Sequence, residues 1–359
     1  MRVQGSKQQP GEAAKPAGRV IPAMVACTTR STCNVDGSLD MRVLLLLFLI
    51  FLRAGGVAAQ GLQEVDVPGP NPGKLRMFVL LPPAANEARA SLPMVVALHG
   101  CGQTAEELLD ISGWGKLADL RGFILLCPQQ RGVNNMAQCF DWFRYRDAQG
   151  PDGEAASIMA MVGQAMRTMP VDTGRVFVYG VSAGAAMAVN LLVAHPAVFK
   201  GGAVIAGGPF LGDVSAFAAM RTMMDPVDRT PDEWRGIVDR SFPGITGPWP
   251  PLIVMHGLKD HVVDPRASDE LVDQWAGLNG MDTTPEEVAN DLGGHPGIAQ
   301  YIYRDSSGRA AVTSYVFKDL GHALAIDAGD GPCQGGSPGP RSIDIGFHST
   351  CVIADGFGL

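Results

Sequence analysis

The sequence predicts an α/β fold, a mostly parallel central sheet with helices on both faces, and three observations predict it. Short β-rich runs alternate along the chain with stretches of helix formers at helical spacing. One of those runs passes through a tight glycine-flanked turn directly into a helix. Hydrophobic residues make up 46% of the chain and charged residues 18%, enough apolar material for a sizeable core. The predicted strands cover residues 75–81, 94–98, 123–127, 176–179, 203–206, 252–255 and 313–317. Helices are predicted over 154–169, 183–195 and 266–278, the last started by Asp264-Pro265 and stopped by Asn279-Gly280. The Pro-rich segment 242–251 is the only linker-like piece and leads straight into a strand, so residues 60–359 read as one domain.

Charge is unevenly distributed. Up to Ala59 there are seven Lys/Arg and three Asp/Glu, leaving 21 basic against 33 acidic side chains beyond it. A body that acidic repels phosphate backbones, which argues against a nucleic-acid partner. Arg42, the apolar run from Val43 to Leu52 and the small residues Val57-Ala58-Ala59 describe a secretory signal over 41–59 with cleavage after Ala59. Ten apolar residues span only about half of a bilayer core, so no membrane anchor is expected after cleavage. Residues 1–40, polar and rich in Pro and Gly, are assigned no fold and read as a leader or an over-extended start before Met41. Export suits the cysteines. Cys27 and Cys33 leave with the signal, Cys101–Cys139 and Cys333–Cys351 are expected as disulfides, and Cys127 is expected as a buried thiol. No CxxC or HxxxH spacing marks a metal site.

Two G-x-S-x-G segments occur, and only context separates them. Gly335-Gly336-Ser337-Pro338-Gly339 lies in a Gly/Pro-rich loop and reads as a turn. Gly180-Val181-Ser182-Ala183-Gly184 follows the strand 176–179 and opens the helix 183–195, the strand–turn–helix context of a nucleophile elbow in the α/β-hydrolase fold. A serine hydroxyl needs a base to take its proton, and that base needs an orienting carboxylate. On this fold both partners follow the nucleophile in the chain. Asp260, in the loop after the strand 252–255, is the predicted acid. Asp264 is the runner-up and suits the start of the following helix. Of His295, His322 and His348, the predicted base is His322, in a Gly-His loop directly after the strand 313–317. The N–H groups of Cys101, in His99-Gly100-Cys101-Gly102-Gln103, and of Ala183 are the expected oxyanion donors.

Together these segments resemble the polyhydroxybutyrate depolymerase family of esterases. The likeness also includes Cys139-Phe140-Asp141-Trp142-Phe143, residues 153–158, His256-Gly257-Leu258-Lys259-Asp260, Gly321-His322 and the tail from Asp344 to Leu359. It implies a single-domain α/β-hydrolase whose triad is Ser182, Asp260 and His322. It also implies an acyl-binding cleft contacted by Trp142 and Gln103, and no cofactor. The chain departs from the family pattern at Ala185, where members often carry glycine, and over residues 323–327, both of which would reshape the cleft. No polymer-binding module follows the hydrolase segment, so soluble oligomers and small esters are expected alongside solid polyester. Two other functions fit the same motifs. One is a carbohydrate esterase acting on feruloyl or acetyl groups, and the other is a non-catalytic hydrolase scaffold that only binds.

Overall fold

The computed structural model describes residues 61–67 and 69–359. The expected leader, signal segment, Cys27 and Cys33 lie outside them. In chain order the elements are β1 (Gln63–Val65), β2 (Arg76–Leu80), β3 (Leu92–Leu98), α1 (Ala105–Ser112), α2 (Trp114–Arg121), β4 (Ile124–Gln129), α3 (Tyr145–Ala148) and α4 (Glu154–Thr168). There follow β5 (Val171–Val181), α5 (Ala183–Ala194), β6 (Gly201–Ile205), α6 (Ala216–Met224), α7 (Pro231–Ser241), β7 (Leu252–Gly257) and α8 (Arg266–Asn279). The last third holds β8 (Glu287–Ala289), β9 (Ile298–Arg304), β10 (Ala310–Phe317), β11 (Leu324–Ile326), β12 (Ser342–Asp344) and α9 (Ser349–Gly356).

Ten strands form one sheet in the order β1-β2-β4-β3-β5-β6-β7-β10-β9-β8. The six from β4 to β10 run parallel, and antiparallel pairs finish both edges. Every predicted strand is present. The additions are the short edge strands β1 and β8, strand β9, and the small parallel pair β11–β12. Alternation along β3 shows why the sheet needs cover on both sides. Met94, Val96 and Leu98 enter one core with Ile158 of α4, Met187 of α5 and Trp275 of α8. Val95 and Ala97 enter the other with Leu108 of α1, Trp114 of α2 and Ile353 of α9. Helix α5 is buried on every side, as its uniformly apolar sequence requires.

The segment 242–251 carries no separate unit. It connects α7 to β7 and buries Trp249. Cys101 is bonded to Cys139 and Cys333 to Cys351, while Cys127 is a buried thiol whose pKa burial pushes up to about 12. No helix among the described residues is long and apolar enough to cross a membrane. Because β3, β5, β6, β7 and β10 are parallel, their carboxyl ends open on one edge of the sheet, where ligands bind in open α/β folds.

Candidate active site

Four of those strand ends deliver the predicted residues. In the ladder Leu98 pairs with Gly180 and Gly257 with Phe317, so the loops after β3, β5, β7 and β10 leave the sheet side by side. The loop after β5 is the sharpest. Ser182 holds φ +57°, ψ −121°, outside the ordinary regions for an L-residue, and caps the buried helix α5. Its flanking glycines are sterically required. A β-carbon on Gly180 would lie 2.2 Å from the Gly184 carbonyl oxygen, and one on Gly184 would lie 2.3 Å from that of Leu98.

The predicted acid and base meet the serine. His322 Nε2 is 3.0 Å from Ser182 Oγ, and its Nδ1 is 2.7 Å from Asp260 Oδ2. A carboxylate only accepts, so Nδ1 carries the proton and Nε2 is left to accept from the hydroxyl. Asp260 is buried, and all its lone-pair directions are used. Oδ1 accepts from the N–H groups of Val262 (2.8 Å) and Val263 (3.0 Å), and Oδ2 from His322 and from His256 Nε2 at 3.1 Å. Burial raises the carboxyl's pKa, but the bonds from His256, His322, Val263 and Val262 outweigh it and hold Asp260 well below the usual carboxylate range. Asp264 instead accepts from the Arg266 N–H at 2.9 Å, at the start of α8. His295 stacks edge-on against Phe347, and the ring nitrogens of His348 face the carbonyls of Cys333 and Ser112.

The loop after β3 is fixed from beneath. His99 Nε2 accepts from the Gln130 N–H at 3.0 Å, so Nδ1 holds the proton and donates to the Gly100 carbonyl at 2.7 Å. Burial lowers the pKa of His99, which keeps that neutral tautomer. Gln103 Oε1 accepts from the Gly100 N–H at 2.8 Å, while its buried Nε2 has no partner. The N–H groups of Cys101 and Ala183 have no backbone acceptor among the described residues. A cleft of about 200 Å³ opens over Ser182, lined by Gly100, Cys101, Gln103, Ile111, Val181, Ala206, Met223, Val262, His322, Ala323 and Arg341. Trp142 is not in its wall. It is 6% exposed, packs in the core, and lines a neighbouring apolar cavity that shares Met223 with the cleft.

Two residues of the site were not anticipated. His256 enters the sequence analysis only within the segment that carries the resemblance, although its spacing of four from Asp260 in one tight loop is a usable signal. Arg341 reaches the cleft from the Gly/Pro-rich loop through tertiary folding, with no signal in its own neighbourhood.

This arrangement can activate a serine hydroxyl and hold an acyl group beside free N–H donors. The chain matches the family described as Esterase PHB depolymerase over residues 75–292. It is 35% identical over 326 residues to poly(3-hydroxyalkanoate) depolymerase C of Paucimonas lemoignei, covering 91% of this chain and 77% of that protein. It is also 35% identical over 273 residues to feruloyl esterase B of Neurospora crassa, covering 73% of this chain and 88% of that one. The solved acetyl xylan esterase from Aspergillus awamori superposes with a TM-score of 0.65 at 25% identity, covering 73% of this chain and 94% of that chain. The chain therefore belongs to the esterase PHB depolymerase family and is a carboxylic ester hydrolase of the α/β-hydrolase fold.

Proposed function

We propose that this esterase works through Ser182, Asp260 and His322, with the N–H groups of Cys101 and Ala183 as its oxyanion hole. The observation that carries this reading is the position of His322, 3.0 Å from Ser182 Oγ and 2.7 Å from Asp260. As the Ser182 hydroxyl attacks the ester carbonyl, its proton passes to His322 Nε2. The carbonyl oxygen becomes an oxyanion facing the Cys101 N–H and the Ala183 N–H, the latter at the head of α5, where the helix dipole favours negative charge. His322 then gives the proton to the departing alkoxide, leaving an acyl group on Ser182. Water repeats the sequence and releases the acid. Side chains and water supply every proton and electron pair.

The substrate class proposed is short-chain hydroxyalkanoate polyester or its oligomers, as the name of the Paucimonas lemoignei relative suggests. A second reading, release of feruloyl or acetyl groups from polysaccharide, is favoured by the Neurospora crassa and Aspergillus awamori relatives. Gln103 lines the cleft and is assigned to substrate contact. Trp142 is assigned to acyl groups long enough to pass Met223. Residues 60–359 form the proposed catalytic domain and 41–59 its export signal, giving a secreted enzyme. A fluorophosphonate probe followed by peptide mapping tests the mechanism. Labelling is expected on Ser182 alone, and labelling elsewhere or none at all overturns it.

A further inference from the structure

Among the described residues, Arg341 is the one permanently charged side chain lining the Ser182 cleft. The other walls are chiefly apolar, with Ile111, Val181, Met223 and Val262 among them. A lone cation here stands out in a body of 21 basic against 33 acidic side chains. It is also held in place at two points. Its carbonyl accepts from the Leu324 N–H at 2.9 Å, and the neighbouring pair Leu324–Ser342 begins the β11–β12 ladder, two residues beyond His322. Its Nη1 meets Glu107 Oε1 at 2.5 Å. Its Nη2 lies 3.4 Å from where a β-carbon of Gly102, the residue after Cys101, would sit, and makes no hydrogen bond among the described residues. A guanidinium fixed through its main chain and one nitrogen, with the other nitrogen free, is arranged to receive a carboxylate.

We propose that Arg341 binds the free carboxylate of the substrate's leaving portion, and that the enzyme therefore prefers carboxylate-terminated hydroxyalkanoate oligomers, cleaving at the chain end. This rests on the hydrolytic reading above and selects its substrate class. When one hydroxy acid is esterified to another, the departing alcohol is itself a hydroxy acid, and at the chain end it carries a carboxylate a few atoms from the scissile bond. Acetyl and feruloyl esters of neutral sugars offer no such group. An interior bond of a long polyester offers none within reach of the cleft.

The test compares the linear dimer of 3-hydroxybutyrate with its terminal carboxamide, a neutral partner of the same shape with the same internal ester. The wild-type protein is expected to favour the acid by roughly three- to tenfold in kcat/KM, carried by KM. The margin should narrow as salt is raised, because Arg341 is partly exposed. Arg341→Gln should bring the ratio close to one, and Arg341→Lys should keep part of it. Glu107→Gln, which removes the competing carboxylate without touching the cleft wall, should increase it. Taking a ratio cancels any general loss of activity or folding. A wild-type ratio near one in protein that still hydrolyses p-nitrophenyl acetate overturns the proposal alone, as does a ratio unmoved by Arg341→Gln. Failure on p-nitrophenyl acetate and on both dimers overturns the hydrolytic reading, and this proposal with it.

Discussion

His256 Nε2 lies 3.1 Å from Asp260 Oδ2, the oxygen that also receives the His322 Nδ1 proton. The same nitrogen is 3.1 Å from the Val263 carbonyl, so both of its neighbours are acceptors and it must carry a proton. His256 is therefore a fourth donor to the Asp260 carboxylate, and under the proposed mechanism it acts through Asp260 rather than on the substrate. His256→Phe keeps an aromatic ring in the buried site and removes the donor. Losing one hydrogen bond to a buried charge should cut kcat about tenfold, and the Asp260 pKa should rise toward the ordinary range. The acid limb of kcat/KM should then move to higher pH, and His256→Gln should restore part of both. An unchanged acid limb beside reduced activity would assign His256 to packing alone.

Ser182 and Ser337 sit in the same five-residue pattern, and their surroundings differ completely. Ser337 is half-buried, and its hydroxyl donates to Asp110 Oδ1 at 2.8 Å, with no histidine hydrogen-bonded to it among the described residues. Ser182→Ala should lower kcat on a p-nitrophenyl ester by on the order of 10³-fold or more with little change in melting temperature. Ser337→Ala should leave kcat within a factor of about two. Equal losses from both would refute the assignment of the nucleophile.

That contrast marks what could be read from the sequence. The elbow is local: strand, glycine, serine, glycine and helix follow within a dozen residues, and the clashes that demand its glycines arise inside that stretch and against β3. Asp260 and His322 were legible because each follows a recognisable parallel strand, and parallel neighbours must end on the same edge. Helices α1 and α2, eight residues each, were missed, although Thr104 followed by Glu107 is a capping signal and the Thr104 hydroxyl does accept the Glu107 N–H. Strand β1 has three residues, largely exposed, so no apolar pattern betrays it. Trp142 was placed by resemblance in the acyl cleft. Its actual position depends on how the loop after Cys139 packs against α5, where Asn190 Nδ2 donates to its carbonyl at 2.6 Å.

Glu154 gives a pH prediction. It is buried at the start of α4, where its carboxylate accepts from the Asp141 N–H at 2.8 Å and from Gln130. Burial raises its pKa to about 8, the hydrogen bonds from Asp141 and Gln130 only partly offsetting it. Between about pH 4.5 and pH 8 the folded state therefore holds a proton that the unfolded chain has lost. Stability contributed by this group is complete below that window and falls as pH rises through it, by a total on the order of 4–5 kcal/mol. Glu154→Gln removes the titration. Urea unfolding at pH 5 and pH 8 should show a steeper decline for the wild type than for the variant. Parallel declines would mean that the carboxyl is ionised throughout.

The disulfide between Cys101 and Cys139 makes the last prediction. It joins the loop bearing one proposed oxyanion donor to the segment 139–143, with Cα atoms 4.2 Å apart and a sequence separation of 38. The Gly102 N–H, donating to the Ala137 carbonyl at 2.8 Å, ties the same two loops beside it. On chain entropy the bridge stabilises the fold by about 4 kcal/mol, and Cys333–Cys351, with a separation of 18, by about 3 kcal/mol. The two bridges should differ in catalysis. Cys333–Cys351 connects the loop after β11 to α9, away from the serine, whereas Cys101 lines the cleft itself. Replacing both cysteines of a pair by serine avoids stray thiols, and Cys127 cannot substitute, being buried in β4 with its thiolate disfavoured. Cys101→Ser with Cys139→Ser should lower both the melting temperature and kcat, because a looser loop no longer holds its N–H toward the oxyanion. Cys333→Ser with Cys351→Ser should lower the melting temperature and leave kcat nearly unchanged. If kcat on p-nitrophenyl acetate, measured well below both melting temperatures, falls equally in the two variants, then the Cys101–Cys139 bridge has no special role in positioning the donor, and the single bond from Gly102 to Ala137 is enough to hold it.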